Sequence, residues 1–333
     1  MNAAILYKQA SAETSPLKME DVDKPDPKGD DVLIKVSTCA VCRTDLHILE
    51  GDLQVIKMPL ILGHQAVGTV EDTGPKVTDV HIGERVGVPW LYWSCGTCKY
   101  CRSSLENLCD RALFTGYSVN GGYAEYMLAR DGFVHKLPNE FDDAHVAPLL
   151  CGGAIGYRAL KLTGLLDRGS GKLGVFGFGS AAHLITPVAI GKGLETYVFT
   201  RGSSRQELAR ELGAKWIGQP TDDPGVKLDA AVVFAPAGWI VIEALKKLDK
   251  AGRVVIGEIH MSPIERLDYN LIWLEREIKS VANVTRDDVK EYLKEAVKAN
   301  IKPDVHVYSL EEANRALQDL KQGSITGSAV LKI

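Results

Sequence analysis

The chain has no long apolar segment, no block of like charges and no low-complexity region. Its most hydrophobic windows are interrupted by Gly, Pro, His or Lys before they reach the length that spans a bilayer. The opening stretch, MNAAILYKQASAETSP, lacks a basic segment followed by an apolar run, so we expect no secretory signal. The formal net charge is −4, and no basic patch is present for nucleic acid or an acidic membrane surface.

What the sequence does contain is enough length for two domains and an odd number of cysteines. Its 333 residues are 45% hydrophobic and 25% charged, which is typical of a soluble globular protein with a sizeable core. Domains usually contain about 100–200 residues. We expect a cytoplasmic protein, where thiols stay reduced. Clustered cysteines there indicate metal binding or catalysis before disulfides.

The rhythm of strand and turn signals changes near residue 153. Before it, DVLIKVSTCAV and AVGTVEDTG alternate in the manner of strands, and KPDPKGD, TGPKV and NGGY supply turns, which predicts a mostly antiparallel β domain. After it, the strands KLGVFGFG, ETYVFT, LDAAVVFAP and RVVIGEI alternate with the helices AAHLITPVAIGKG, SRQELARELGA and GWIVIEALKKLDKAG. This alternation predicts an α/β domain with a doubly wound parallel sheet. A helix from Asp287 to about Asn300, a short β segment, the helix EEANRALQDLKQG and GSAVLKI close the chain.

Four cysteines lie in the short segment SCGTCKYCRSSLENLC, in the pattern C-x2-C-x2-C-x7-C. They are Cys95, Cys98, Cys101 and Cys109. Thiolates two residues apart can face one ion across a tight turn, and four of them complete a closed tetrahedral zinc shell. An iron–sulfur cluster is the rival hypothesis, but the bacterial cluster run has three residues before its last cysteine and a proline after it. The spacing favours a structural zinc.

The other three cysteines are scattered. Cys39 has no obvious partner and is interpreted as a small buried hydrophobe. Cys42 begins CRTDLH, His64 follows 22 residues later in GHQAVG, and Cys151 lies in LLCGG. One imidazole and two thiolates would make a three-ligand zinc site with an open fourth position. Spacing alone does not connect them, because taken singly His64 would more often be a satisfied core histidine and Cys151 a buried thiol.

The ordered set CRTDLH, GHQAVG, CGTCKYC with a further cysteine, LLCGG and a glycine turn after KLGVF resembles the zinc-dependent alcohol dehydrogenases of the medium-chain dehydrogenase/reductase superfamily. The resemblance covers the whole chain. It implies a GroES-like catalytic domain at 1–152 and 286–333, a structural-zinc lobe at about 94–110, and a Rossmann coenzyme domain at 153–285. It also implies that Cys42, His64 and Cys151 bind a catalytic zinc, and that the four clustered cysteines bind a second, structural zinc.

The same resemblance assigns the proton route. Thr44 matches the relay hydroxyl beside zinc and His47 the outer proton acceptor, roles that suit a hydroxyl and an imidazole that titrates near neutrality. The alternative for His47 is an ordinary surface histidine. Asp45 matches the carboxylate that accepts the free ring N–H of the zinc-bound histidine. Gln65 departs from the family, which usually has Glu there, and we expect zinc to stay bound while ligand exchange changes.

The segment GVFGFGSAA predicts a coenzyme-binding turn between a strand and a helix. Gly177 makes the turn, Gly179 lets a pyrophosphate approach the backbone next to Ser180, and the small Ala182 allows close helix–strand packing. Pro187 is awkward inside the helix that follows and is expected to kink it.

Cofactor choice is decided at the end of the next strand. An acidic residue there would hold the adenosine ribose and select NAD(H), but the sequence is FTRGSSR, so we expect Thr200, Arg201 and Arg205 to face the ribose instead. Arginines bind a 2′-phosphate well, which favours NADP(H). The alternative is that both arginines merely begin a solvated helix. Arg43 matches a pyrophosphate contact of the family, whereas Ser328 stands where an arginine is often found.

The predicted reaction is hydride transfer between a small alcohol or aldehyde and the nicotinamide. By resemblance Trp90, Leu91 and Trp93 line the substrate pocket, although Trp93 could equally be a core aromatic. The cysteine ligands argue against the zinc-free quinone reductases of the superfamily. A polyol or aromatic-alcohol dehydrogenase using NAD(H) and a non-catalytic zinc and nucleotide binder remain alternatives. The family implies a homo-dimer or homo-tetramer.

Overall fold

The computed structural model describes all 333 residues and divides into two compact units. The first unit comprises Met1–Cys151, Val284–Lys294 and Lys302–Ile333. The second comprises Gly152–Asn283 and Glu295–Ile301. None of the helices is both long and apolar enough to cross a membrane.

The first unit is built mainly of short strands with four helices of one to three turns. Its elements are β1 (Asn2–Leu6), β2 (Leu17–Asp21), β3 (Asp31–Val41), α1 (Arg43–Glu50), β4 (Leu60–Ile61), β5 (Ala66–Thr73), β6 (Arg85–Val88), β7 (Leu91–Trp93), α2 (Lys99–Arg102), β8 (Leu113–Phe114), β9 (Tyr126–Arg130), β10 (His135–Lys136) and α3 (Asp143–Val146). The chain returns to it after the second unit with β17 (Val305–Ser309), α10 (Ala313–Gln322) and β18 (Ser328–Lys332).

A long central strand organises this unit. β3 pairs antiparallel with β5, β9 and β18 along different parts of its length, in a sheet ordered β10-β6-β5-β3-β18-β17. A second sheet has the order β2-β1-β4, and β7 pairs with β8. The alternation in DVLIKVSTCAV places Val32, Ile34 and Val36 in one apolar core with β1, β4 and α10. Apart from the parallel β17–β18 pair, the sheet is antiparallel as predicted.

The second unit carries one parallel sheet between helices. Its elements are α4 (Gly152–Leu162), α5 (Leu165–Arg168), β11 (Gly171–Phe176), α6 (Ser180–Gly191), β12 (Leu194–Phe199), α7 (Ser203–Glu211), β13 (Trp216–Gly218), β14 (Leu228–Val233), α8 (Gly238–Lys247), β15 (Leu248–Ile256) and β16 (Glu277–Ser280). α9 (Arg286–Lys298) follows and is divided between the two units. The strand order β13-β12-β11-β14-β15-β16, parallel throughout, confirms the predicted doubly wound fold.

One predicted helix is too long. The stretch GWIVIEALKKLDKAG was expected to be helical throughout, but α8 ends at Lys247 and β15 begins at Leu248. Leu248 pairs with Leu228 across the sheet, and both side chains are fully buried. This pairing overrides the helical spacing of the leucines. By contrast α6 continues from Ser180 to Gly191 with Pro187 inside it.

Candidate active site

The first candidate ligand lies where β3 gives way to α1. Cys42 has an extended backbone (φ −118°, ψ 157°) and precedes the first turn of the helix. The Asp45 carboxylate turns back to accept a hydrogen bond of 2.9 Å from the Cys42 N–H, which satisfies one of the unpaired donors at the helix start. The Cys42 sulfur lies 3.7 Å from Thr44 Oγ1. The local sequence CRTD therefore presents a thiol and a hydroxyl together.

The second candidate ligand, His64, is held by the same carboxylate. Its Nδ1 lies 3.1 Å from Asp45 Oδ1, and neither side chain is exposed to solvent. The other ring nitrogen, Nε2, is buried and makes no hydrogen bond. Since Asp45 accepts from Nδ1–H, Nε2 is the nitrogen that carries the lone pair in the neutral ring. A buried nitrogen without a hydrogen-bond partner is what a metal ligand at this position would provide.

Cys151 is the third member of this cluster. It ends the 3₁₀ turn Ala147–Leu150 with a backbone that is neither helical nor extended (φ −130°, ψ −67°), and α4 begins at the next residue. One ligand atom from each of Cys42, His64 and Cys151 lies within 4.8 Å of the others. The fold thus brings together three residues that are distant in sequence.

The donor set suits zinc. Two soft sulfurs and one imidazole nitrogen are ligands that zinc prefers, and three of them leave a fourth position open. The neighbouring Cys151 thiol, and after it the His64 ring, lower the pKa of Cys42 well below its usual value. The Cys42 thiol and burial raise the pKa of Cys151. Burial by itself would lower the pKa of His64, but the charge and hydrogen bond of Asp45 raise it to about 10. The negative charge of Asp45 therefore favours a positive partner at Nε2, which is either a proton or a metal ion.

His47 lies further along α1 and is almost fully buried. Its Nδ1 is 2.7 Å from Oδ2 of Asp52, which follows the end of the helix. The carboxylate fixes the imidazole orientation and directs Nε2 away from it. Asp52 was not anticipated from the sequence, where nothing distinguishes it from any acidic residue after a helix.

The structure distinguishes among the residues predicted to line a pocket. The Trp90 ring meets the His64 ring edge-on, with centroids 4.9 Å apart, and stacks on Phe114 and Tyr117 at 5.2 and 5.7 Å. Leu91 is fully buried in β7 opposite Phe114, and Trp93 is half-buried. Trp90 is therefore the one with a direct contact to a candidate metal ligand.

Gln65, which follows His64, is buried just before the start of β5. Its Nε2 donates to the Ala40 carbonyl at 3.4 Å, and its backbone carbonyl accepts from the Ala40 N–H. This neutral amide stands where the family that the sequence resembles usually has a carboxylate. A glutamate here would lose the donated hydrogen bond.

The four clustered cysteines converge as well. Their four sulfurs, of Cys95, Cys98, Cys101 and Cys109, all lie within 4.8 Å of one another. Backbone N–H groups point at the sulfurs: that of Cys98 donates to Cys95 at 3.3 Å, and that of Cys101 to Cys98 at 3.5 Å. The Arg111 guanidinium, with Thr97, lowers the pKa of the Cys95 thiol to about 5. All seven cysteines of the chain are free, so no disulfide competes for these sulfurs.

The glycine turn of the second unit follows β11 directly. Gly177 has φ +87°, and a Cβ there would lie 2.7 Å from the Phe234 carbonyl oxygen, so only glycine fits. A Cβ on Gly179, at the start of α6, would meet nothing within 4 Å, which leaves its backbone open to approach. Ala182 is fully buried against the sheet, and Ser180 opens the helix. This geometry can receive a pyrophosphate at a helix N-terminus.

The residues predicted to select the cofactor lie between the end of β12 and the first turn of α7. Thr200 is buried, and its carbonyl accepts a hydrogen bond from Gln206 Nε2 at 3.0 Å. Arg201 is exposed and Arg205, in the first turn of α7, is half-buried. Elsewhere, Arg43 is half-buried at the start of α1, and Ser328 is buried at the start of β18.

Comparison with known proteins gives the class of this architecture. Residues 28–139 match the alcohol dehydrogenase GroES-like domain family. The chain is 42% identical to a probable alcohol dehydrogenase of Mycobacterium tuberculosis, over 100% of this chain and 97% of the relative. It is 35% identical to an alcohol dehydrogenase of Geobacillus stearothermophilus, over 96% of each chain.

Solved structures agree with these relatives. The alcohol dehydrogenase from the archaeon Aeropyrum pernix is 26% identical and superimposes over the full length of both chains with a TM-score of 0.88. A cinnamyl alcohol dehydrogenase from Sorghum bicolor is 25% identical, with a TM-score of 0.89 over 99% of this chain and 97% of that one. The fold is a GroES-like domain combined with a Rossmann-type domain. The chain belongs to the zinc-dependent alcohol dehydrogenases of the medium-chain dehydrogenase/reductase superfamily.

Proposed function

We propose that the protein is a zinc-dependent alcohol dehydrogenase that transfers a hydride between a small alcohol or aldehyde and NADP(H). The observation that carries this proposal is the convergence of Cys42, His64 and Cys151, with the unpartnered Nε2 of His64 among them. A three-ligand set is the arrangement of a catalytic zinc. When bound, zinc supplies a Lewis acid for the alcohol or carbonyl oxygen.

The chain's own residues would move the proton. Thr44, whose hydroxyl lies 3.7 Å from the Cys42 sulfur, can accept the alcohol proton while passing on its own. His47 is the proposed outer acceptor, and its contact with Asp52 orients the ring for this role. Asp45 keeps His64 in the tautomer that leaves Nε2 available.

We assign the first unit to catalysis and the second to coenzyme binding. All seven proposed zinc ligands belong to the first unit, and the glycine turn belongs to the second. The four-cysteine cluster has no open position and is proposed to hold the structural zinc, giving two zinc ions per chain. Free thiols throughout suit a cytoplasmic enzyme, and family membership suggests a homo-dimer or homo-tetramer.

The preference for NADP(H) rests on Arg201 and Arg205. No carboxylate occurs between Phe199 and Gln206 to repel a 2′-phosphate. Hydrogen bonds to charged groups contribute about 1.5–3 kcal/mol, so replacing either arginine by alanine should lower kcat/KM for NADPH by about 10–100-fold. NADH should be affected little. Arg210→Ala is the matched control, because Arg210 lies on the same helix and pairs with Glu207 at the surface.

A clear preference of the wild-type enzyme for NADH over NADPH would defeat this cofactor assignment. It would leave the dehydrogenase proposal intact, because the metal centre and the glycine turn do not depend on the 2′-phosphate. The two parts of the proposal can thus fail separately.

The side chains around the proposed catalytic metal site favour apolar alcohols as substrates. The surroundings of His64 include the aromatic cluster of Trp90, Phe114 and Tyr117, which offers stacking surface and little hydrogen bonding for a polyol. An aromatic-alcohol dehydrogenase is therefore the second candidate, and the similar sorghum protein is named for cinnamyl alcohol. Comparing kcat/KM for ethanol, a benzylic or cinnamylic alcohol and a polyol separates these possibilities.

The deciding experiment measures zinc and turnover together. The wild-type protein should contain two zinc ions, and cofactor absorbance should change with an alcohol panel until a chelator is added. Cys151→Ser should lose one zinc and all turnover, whereas Cys39→Ser, a buried cysteine outside both clusters, should keep both. Two bound zinc ions without turnover of any alcohol or aldehyde would identify a non-catalytic binder instead.

A further inference from the structure

The Asp45 carboxylate accepts hydrogen bonds from other groups besides His64, the partner that the family resemblance assigns to it. Oδ2 accepts from the Cys42 N–H at 2.9 Å and from the Tyr123 hydroxyl at 3.2 Å. Oδ1 accepts from the Gly63 N–H at 3.2 Å and faces His64 Nδ1 at 3.1 Å. Each oxygen therefore has two donors, which uses the acceptor capacity of a fully buried carboxylate.

Tyr123 also holds the His64 segment through its backbone and its ring. Its N–H donates to the Leu62 carbonyl at 3.0 Å, and the preceding Gly122 N–H donates to the Gly63 carbonyl at 2.9 Å. A Cβ on Gly63, which has φ +94°, would lie 2.4 Å from Tyr123 Cδ1, so the ring packs directly on that backbone. Burial raises the pKa of the Tyr123 hydroxyl, and the charge of Asp45 adds to the effect, so the group stays a donor.

We propose that Tyr123 is a positioning residue of the metal centre: its hydroxyl, through Asp45, clamps the segments that carry Cys42 and His64 at the separation zinc requires. The Tyr123 hydroxyl is hydrogen-bonded to Asp45 and to none of the proposed ligands, so it acts through the carboxylate. The inference deepens the proposed function and rests on it, since it concerns the same three-ligand site.

Outer-shell partners of metal ligands typically contribute about 10–100-fold to metal affinity. Tyr123→Phe keeps the ring on Gly63 and removes only the hydroxyl. We expect zinc affinity at the three-ligand site to fall at least about 10-fold, measured by competition with a chromogenic chelator. The four-cysteine site, in the same molecule, is the internal reference and should be unchanged.

Tyr292→Phe is the matched control, because Tyr292, on α9, is equally buried but is not among the hydrogen-bond partners of Asp45. It should leave both zinc affinities at their wild-type values. Cobalt substitution supplies a spectroscopic reading of the three-ligand site, and its visible absorption should shift in Tyr123→Phe but not in Tyr292→Phe. Such a shift reports ligand geometry, which a general loss of stability does not alter in the folded protein.

A double-mutant cycle tests whether Tyr123 acts through Asp45. In an Asp45→Asn background, Tyr123→Phe should change zinc affinity by less than 2-fold, because the path through the carboxylate is already broken. A full additional effect there, unchanged affinity and spectrum in the single variant, or equal losses at both zinc sites would overturn the proposal. Failure of the wild-type protein to bind a second zinc would instead overturn the proposed function.

Discussion

An acid-sensitive position lies outside the metal centre, at His135 on β10. The side chain is 3% exposed, and neither ring nitrogen has a hydrogen-bond partner. Burial is the main cause that lowers the pKa of His135 to about 3, and the positive charges of Lys290 and Arg286 on α9 add to it. We predict that this histidine stays neutral in the folded protein and limits its stability in mild acid.

The magnitude follows from proton linkage. A histidine in the unfolded chain has a pKa near 6.5. Below that pH the unfolded state therefore binds a proton that the folded state does not bind. Stability is therefore lost as pH falls from about 6.5 toward the folded pKa. At pH 5 the loss relative to pH 7 amounts to about 2 kcal/mol. This value depends little on the folded pKa, because about 3 lies well below 5.

The assay compares wild type with His135→Leu, which removes the titrating group and strands no hydrogen-bond partner. Free energies of unfolding are measured by urea titration at pH 7 and pH 5. Between these two pH values the free energy of unfolding of wild type should fall by about 2 kcal/mol more than that of the variant. Protonation of other groups, including the zinc ligands, contributes equally to both proteins. His306→Leu, on β17 and exposed, controls for the loss of an imidazole from a strand.

Histidine-selective NMR provides the direct check, since the His135 ring should remain neutral at pH 5 in the folded protein. A protonated ring at pH 5, or parallel pH dependences for wild type and His135→Leu, would refute the reasoning. Either result would mean that the ring is better solvated than its burial implies.

Three further predictions concern the metal sites. Gly63→Ala should lower the free energy of unfolding, measured in urea, by about 2–4 kcal/mol, because the new Cβ would lie 2.4 Å from the Tyr123 ring. The control Gly29→Ala, also at positive φ but in open space, should lower it by about 1 kcal/mol. Gln65→Glu should keep zinc and speed inhibitor exchange at the metal, measured by stopped flow; identical kinetics would count against a role for this position. Cys98→Ser should reduce the zinc content from two to one and expose residues 94–110 to proteolysis, and a protease-resistant lobe would contradict a structural role.

Local features of this protein could be predicted from the sequence. The cluster from Cys95 to Cys109 is confined to one turn-rich segment, so its spacing alone restricts the geometry. The turn at Gly177 depends on a strand, a positive φ and a helix that are adjacent in the chain. Strand and helix alternation likewise predicted the parallel sheet, because the two periodicities are local properties of the chain.

Resemblance to a family extended the prediction beyond local pattern. It grouped Cys42, His64 and Cys151, which composition and spacing left as three unrelated residues. Their roles as ligands, and those of Thr44 and His47 in proton transfer, stay predictions until the zinc and turnover measurements are made. The structure adds that the three side chains lie close enough for one ion.

By itself, the sequence determined what neighbouring residues along the chain decide: helices, strands, the glycine turn and the four-cysteine lobe. Only the tertiary structure decided which distant groups meet. It ended α8 at Lys247 through a strand pairing, placed Asp52 on His47, and brought Tyr123 to a carboxylate 78 residues earlier in the chain. These contacts depend on sheet register and burial, which are set by the whole fold and leave no mark on short segments of sequence.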